Sequence, residues 1–285
     1  MILVTGASGK TGRAVIGALV ARGAAVRALV RRAETVNAIR ALGAAQVVVG
    51  SMSDEVALQR AAGGVDAIYH ICPNVSVDEV AFGGNVVAAV KAARVGRLVF
   101  HSVLHPQVEA MPHHWNKMRV EELLFASGLD VTILQPTAYM QNLLAGWGAI
   151  RDQGVYRTPY AVEACISLVD LDDVGEVAAR VLTEAGHGGA TYELVGTMPL
   201  SQTEVAAVLS EELGRPVRAE AEAVKTWDAR AGANGLGTIE RDTLIRMFRY
   251  YNHYGLSGNS NVLRWLLGRA PTSLAEFVRR NAPQA

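Results

Sequence analysis

The sequence predicts an α/β protein of the doubly wound class, a parallel sheet covered by helices (Rossmann fold), followed by a smaller, mainly helical lobe. Three observations carry that expectation. Short β-branched runs alternate with longer Ala-rich stretches of helical period through the first 136 residues. Those runs are apolar throughout, as in strands buried on both faces. A glycine-rich turn joins the first run directly to the first helix.

Taken in order, residues 2–4 form the first strand, and residues 10–22 a helix closed by Gly23. A strand at 25–30 precedes a helix at 34–42, and a strand at 46–49 precedes a helix at 54–62. The fourth strand covers 67–71, and a long helix at 78–93 stops before Gly96. Residues 98–101 give the fifth strand, 117–126 a helix ended by Gly128, and 131–134 the sixth strand. Each parallel pair needs a crossover, which the helices supply. After Pro136 helical stretches dominate, at 139–149, 174–184, 202–213, 243–251 and 273–280, with short strands near 166–169 and 191–194. The expected organisation is a dinucleotide-binding domain over 1–136, to whose sheet residues 165–184 return, and a substrate lobe over 137–285. A ligand is expected in the cleft between them.

Half the residues are hydrophobic and 19% are charged, enough to bury a sizeable core and too apolar for disorder. Lys+Arg and Asp+Glu number 27 each, so no net field draws the chain to nucleic acid or an anionic membrane, and neither partner is expected. No uncharged apolar run reaches the roughly 20 residues of a membrane helix. The N-terminus opens on a strand rather than a leader, so the expected location is the cytoplasm. Cys72 and Cys165 lie in apolar stretches and are expected to be buried structural thiols. A homodimer is compatible with the sequence, which does not decide oligomeric state.

The first turn reads Gly6-Ala7-Ser8-Gly9-Lys10-Thr11-Gly12. One glycine must turn sharply, one must let a pyrophosphate approach backbone N–H groups, and one must allow close helix–strand packing. We expect Gly9 to use the positive φ open to glycine. Ser8, Lys10 and Thr11 complete the lip at the positive end of the helix. A phosphate loop of the triphosphatase type would need glycine where Val4 stands, so that reading is rejected. The second strand ends Leu29-Val30-Arg31-Arg32, without the acid that would bind a ribose 2′-hydroxyl. Arg31, Arg32 and Arg13 suit a 2′-phosphate instead, which favours NADP(H) over NAD(H).

These residues resemble the NmrA-like branch of the atypical short-chain dehydrogenases/reductases. The resemblance spans the chain and rests on the glycine loop, on Gln135-Pro136-Thr137-Ala138-Tyr139-Met140-Gln141-Asn142, on Ser167-Leu168-Val169-Asp170-Leu171-Asp172-Asp173-Val174, and on Met247-Phe248-Arg249-Tyr250-Tyr251. It implies either an NAD(P)H-dependent reductase of quinones and dyes, or a non-catalytic sensor of the cofactor that binds a partner protein. It also implies that Lys117 is the lysine of the Tyr-x-x-x-Lys element, with His113 in the tyrosine's place, and that Ser102 is the family serine. Gly50-Ser51 stands where relatives often have Gly-Asp, so the adenine contact passes to the backbone around Ser51 and Met52.

In an open α/β sheet the chemistry lies beyond the carboxyl ends of the strands. Here those ends supply Ile71, Cys72 and Pro73, then Ser102, then Pro136 and Tyr139. Lys117 is expected to bond the nicotinamide ribose. With no tyrosine, a proton for the reduced acceptor comes from His113 or His114, or from water. The histidines show no metal-binding spacing, so no metal is expected. Tyr139, Asn142 and Tyr250 are the expected acceptor-side residues. The reading is an NADPH-dependent oxidoreductase that passes hydride to a small conjugated acceptor such as a quinone, with the NADP(H)-sensing regulator as the alternative.

Overall fold

The computed structural model describes residues 1–282. Eleven strands and eleven α-helices follow one another along it. The first stretch contains β1 (Ile2–Val4), α1 (Lys10–Ala21), β2 (Val26–Val30), α2 (Val36–Ala41), β3 (Gln46–Val49), α3 (Glu55–Ala62), β4 (Ala67–His70), α4 (Glu79–Ala93), β5 (Arg97–His101), α5 (Pro112–Phe125) and β6 (Val131–Pro136). Then come β7 (Ala138–Tyr139), β8 (Val155–Thr158), β9 (Leu168–Val169), α6 (Leu171–Thr183), β10 (Thr191–Leu194), α7 (Gln202–Leu213), β11 (Arg218–Ala221), α8 (Val224–Ala233), α9 (Thr238–Tyr254), α10 (Asn261–Leu267) and α11 (Leu274–Asn281). The chain divides into two compact units, one of Met1–Glu109, His113–Pro136 and Leu171–Tyr192, the other of Ala110–Pro112, Thr137–Asp170 and Glu193–Ala285.

In the first unit one sheet runs in the order β10-β6-β5-β4-β1-β2-β3, and its strands from β1 to β6 pair in parallel. Side chains alternate across the sheet. Leu3, Leu29, Ile68, Leu98 and Phe100 point one way, into a core shared with Leu58, Val86, Val90, Val120 and Leu124 of α3, α4 and α5. On the alternate positions Val4, Ala28, Tyr69 and Val99 are equally buried, where α1 and α6 pack together and α6 touches β4 and β5. This is the doubly wound architecture expected from the apolar strands.

The return of residues 165–184 differs in detail. β9 pairs with β7 in a separate two-stranded sheet, and α6 is the part of this segment that packs in the first unit. The later strand, β10, takes the edge beside β6.

In the second unit Met140, Leu143 and Ile150 pack with Val205 and Leu209 of α7 and with Leu274, Phe277 and Val278 of α11. Both helices start on reciprocal caps, Ser201 with Glu204 and Ser273 with Glu276. The α-helix expected at 139–149 is instead a 3₁₀ segment at Met140–Gly146 and a π segment at Ala149–Gln153. Gly146 and Gly148 make a regular helix costly there. Strands β8 and β11, a parallel pair, were not visible in the sequence pattern. Cys72 is buried as expected, but Cys165 is exposed, in a short segment just after the exposed Glu163.

Candidate active site

The end of β1 is stitched to the end of β4 by the fully buried Thr5. Its N–H donates to Tyr69 O at 3.0 Å, and its hydroxyl accepts from Ile71 N at 3.0 Å and lies 3.0 Å from His70 Nδ1. The chain then reverses at Gly6, where φ is +57° and a Cβ would lie 2.7 Å from Ile71 O. At Gly12 a Cβ would lie 2.4 Å from Gly6 O, so α1 can approach the loop only without a side chain there. Gly9 does not supply the positive φ expected of it. Its φ is −74° and it caps α1, because the reversal is already complete at Gly6.

A Cβ on Gly9 would touch only Gly6 O, at 3.3 Å, so the space above it is free of protein. Helix α1 has no side-chain cap and no acid in its first turn. The positive end of its dipole therefore meets no acidic side chain, the setting that suits an anion. These features fit a dinucleotide pyrophosphate.

The other loop residues surround this point. Ser8 is half-buried, Lys10 is exposed and Thr11 is buried. Exposed Arg13 donates from Nε to Ser8 O at 3.1 Å. Arg31 and Arg32 are exposed just past β2, with Arg32 3.3 Å from Glu34. Ser51 Oγ lies 2.7 Å from Ser53 Oγ, and the carbonyl of buried Met52 accepts from Asn85 Nδ2 at 3.0 Å. Beyond β4, Ile71 is half-buried, Cys72 buried and Pro73 exposed. Burial and the nearby Glu79 carboxylate push the Cys72 thiol up, which leaves it protonated and unreactive.

Helix α5 contains most of the stretch expected to be helical, 117–126, and begins earlier, at Pro112. Proline fits a first helical position, since its φ is pre-set and no N–H is needed there. The longer helix sets His113 and Lys117 one turn apart on the same face. Lys117 Nζ donates to Glu79 Oε1 at 2.9 Å and to His101 O at 3.2 Å. It also lies 5.3 Å from the centre of the Phe100 ring.

Four buried imidazoles stand near this ammonium, those of His70, His101, His113 and His114. Burial disfavours their charged forms, and the Lys117 charge adds to it. His70 and His113 are lowered to about 3, His114 to about 4, and His101 well below its ordinary value. His113 is also pushed down by His114. All four rings are thus neutral near pH 7. Tyr69 Oη lies 2.5 Å from His101 Nδ1, whereas His70 Nε2 and His113 Nδ1 are buried without a hydrogen-bond partner.

Ser102 is buried, and its hydroxyl donates to Glu121 Oε1. Gln135 Nε2 donates to both Glu121 oxygens, at 2.9 and 3.1 Å. Burial raises the Glu121 carboxyl, while Ser102, Gln135 and Lys117 pull it back down. Pro136, at the end of β6, accepts from Leu104 N at 2.9 Å.

The remaining expected residues belong to the second unit. Tyr139 is half-buried in β7, and Asn142 is exposed on the 3₁₀ segment. Tyr250 lines a depression of about 430 Å³ with Ala110, Arg246, Arg249 and Tyr254, and neither Tyr139 nor Asn142 is among its walls. Sequence reasoning did not find Glu79, Glu121 or Tyr69. Glu79 had a weak signal as an acid in the first turn of α4, where it reads as a helix-dipole residue. Among the described residues no group of His, Cys, Asp and Glu could hold a metal ion, and no helix is long and apolar enough to cross a membrane.

A sequence model described as the NmrA-like family matches residues 1–278. The chain is 32% identical to an NAD(P)H azoreductase of Xenophilus azovorans, over 99% of this chain and 98% of that one. It is similar to the structure of an NADPH-dependent quinone oxidoreductase complexed with NADPH from Escherichia coli, with a TM-score of 0.85 and 30% identity over 98% of this chain and 99% of the other. It is also similar to a Citrobacter sp. triphenylmethane reductase complexed with NADP(H), with a TM-score of 0.86 and 25% identity over 99% of this chain and 100% of the other.

Proposed function

The chain belongs to the NmrA-like family, and from that premise we propose that it is an NAD(P)H-dependent reductase that transfers hydride to a small conjugated acceptor of quinone type. One observation carries the reading. A buried ammonium, Lys117, is anchored on the carbonyl of His101 at the carboxyl end of β5, and the same sheet carries the glycine loop at the end of β1.

When bound, the dinucleotide supplies the hydride from its nicotinamide ring. Gly6, Ser8, Gly9, Lys10, Thr11 and Gly12 hold its pyrophosphate on the N–H groups of α1. Arg13, Arg31 and Arg32 favour a 2′-phosphate, hence NADP(H) over NAD(H). The backbone at Ser51 and Met52 flanks the adenine. Ile71, Cys72, Pro73, Ser102 and Pro136 border the nicotinamide end, and Lys117 donates to its ribose. Glu79 keeps that lysine in place, and Glu121 draws the Ser102 hydroxyl inward. Tyr139, Asn142 and Tyr250 are the residues assigned to the acceptor.

Neutral His113 has no acidic imidazolium to offer near pH 7, so the reduced acceptor takes its proton from water. We place the protein in the cytoplasm, as a monomer or homodimer, without nucleic acid as a partner.

The test is NADPH oxidation against a panel of quinones, azo dyes and enones. Turnover that falls on Lys117→Ala is expected. No turnover across the panel, with cofactor binding intact, favours the non-catalytic sensor. That alternative draws support from the neutral imidazole four residues before Lys117.

A further inference from the structure

Helix α9 buries one stripe of its surface and turns the other to solvent. Phe248 meets Trp227 with ring centres 4.7 Å apart, and Tyr251 meets Tyr160 at 5.9 Å. The outward stripe carries Arg246, Arg249, Tyr250 and Tyr254, which with Ala110 line the depression of about 430 Å³. It is a shallow depression open to solvent, so recognition there falls to the side chains that line it.

The wall contains two cations and no acid. Arg157, Arg218, Arg230, Arg241 and Arg279 of the same unit each hold a carboxylate. Among the described residues Arg246 and Arg249 have no hydrogen-bond or ion-pair partner, so both guanidiniums are available. They are three residues apart, hence neighbours on one helix face. Tyr250 and Tyr254 follow one turn on, with ring centres 4.9 Å apart and planes tilted by 42°.

We propose that this wall binds a planar aromatic anion, an arene bearing a carboxylate or sulfonate. The guanidinium forks match the two or three oxygens of such a group. The tyrosine faces take the ring, whose apolar surface gains more against aromatic side chains than in water. Neither half alone suffices. A free inorganic anion leaves the tyrosines unused, and a neutral arene leaves two guanidiniums partly desolvated without compensation. The inference extends the reading of Tyr250 as an acceptor-side residue, and makes an anionic aromatic quinone a better acceptor than its neutral parent.

The test is calorimetric titration of the whole chain with naphthalene-2-sulfonate, beside neutral naphthalene-2-sulfonamide and inorganic sulfate. The sulfonate is expected to bind at least about tenfold more tightly than either control, and to weaken as salt is raised. The double variant Arg246→Ala/Arg249→Ala, checked for folding by circular dichroism, should lose about tenfold or more in sulfonate affinity. No sulfonate binding at millimolar concentration, or equal binding by the double variant, overturns the proposal.

Steady-state reduction of 1,4-naphthoquinone-2-sulfonate and 1,4-naphthoquinone separates this inference from the reading beneath it. Arginine-dependent sulfonate binding with neither quinone reduced leaves the site standing and removes the reductase. Both quinones reduced, with no sulfonate binding and a KM ratio unchanged in the double variant, leaves the reductase standing and removes the site.

Discussion

Lys117 Nζ stands 2.9 Å from Glu79 Oε1, with the two side chains only 12% and 3% exposed. The ammonium is therefore one half of an enclosed ion pair, surrounded by imidazoles that carry no charge of their own. Such a pair is costly to break from one side, because the remaining charge stays buried without a counter-ion.

Glu79→Ala is accordingly expected to cost about 3–5 kcal/mol of stability, read from urea unfolding. A double variant, Glu79→Leu with Lys117→Met, removes both charges and should recover most of that loss. Cofactor affinity, measured by fluorescence titration, should be weakened in both variants and not recover in the double one. If affinity returned with stability, Lys117 would be a packing residue, and its assignment to the ribose would fall.

The glycine loop separates into positions that hold the fold and a position we assign to the ligand. Gly12→Ala forces a Cβ to within 2.4 Å of the Gly6 carbonyl oxygen, backbone that cannot swing aside. It should destabilise the protein by about 1–3 kcal/mol or more, as overpacking does. Gly9→Val meets a much lower obstacle, since the residue already has an ordinary φ of −74° and its Cβ would lie 3.3 Å from the same oxygen. That variant should unfold at nearly the wild-type urea concentration and yet lose dinucleotide binding. Retained affinity in Gly9→Val would show that the pyrophosphate sits elsewhere.

This division was only half legible in the sequence. The glycines announced the loop, but which of them turns the chain depends on where β1 stops and on Ile71 behind it, a long-range neighbour. The parallel sheet was readable because its strands are apolar on both faces. Residues 139–149 misled because their apolar spacing imitates a helix that Gly146 and Gly148 interrupt. At the site Lys117 was singled out only by the family resemblance, which sets it where the lysine of a Tyr-x-x-x-Lys element stands. Its partner Glu79 lies 38 residues away and becomes a neighbour only when α4 and α5 cover the same sheet face. The burial of His113 was not legible, because it depends on α5 starting already at Pro112.

Arg31 and Arg32 follow β2, both exposed, and the nearest acid, Glu34, lies 3.3 Å from Arg32 and leaves Arg31 to face the ribose position. Arg31→Ala is expected to weaken NADPH by about tenfold, the value of a charge-assisted contact, and to leave NADH within about twofold. Titration calorimetry with each cofactor checks it. Equal losses for the two would assign Arg31 a general role and move the 2′-phosphate to Arg13 or Arg32.

The neutral histidines give the protein a defined weakness toward acid. His113 is buried with its pKa lowered to about 3, while in the unfolded chain it titrates near the ordinary value of 6.5. Between these values the unfolded state binds the proton and the folded state does not. Its contribution to stability is therefore full above about pH 6.5 and is lost as pH falls toward 3. At pH 5 the loss from this one ring is about 2 kcal/mol, taking roughly 1.4 kcal/mol per pH unit below 6.5. His113→Gln stays neutral throughout, so the drop in unfolding free energy between pH 7.5 and pH 5 should shrink by about that amount. At pH 7.5 the same variant should keep near-normal kcat if, as we propose, the proton for the acceptor comes from water and not from this ring. An unaltered acid sensitivity would mean that His113 is protonated in the folded protein. A large fall in kcat at pH 7.5 would return it to the role of proton donor.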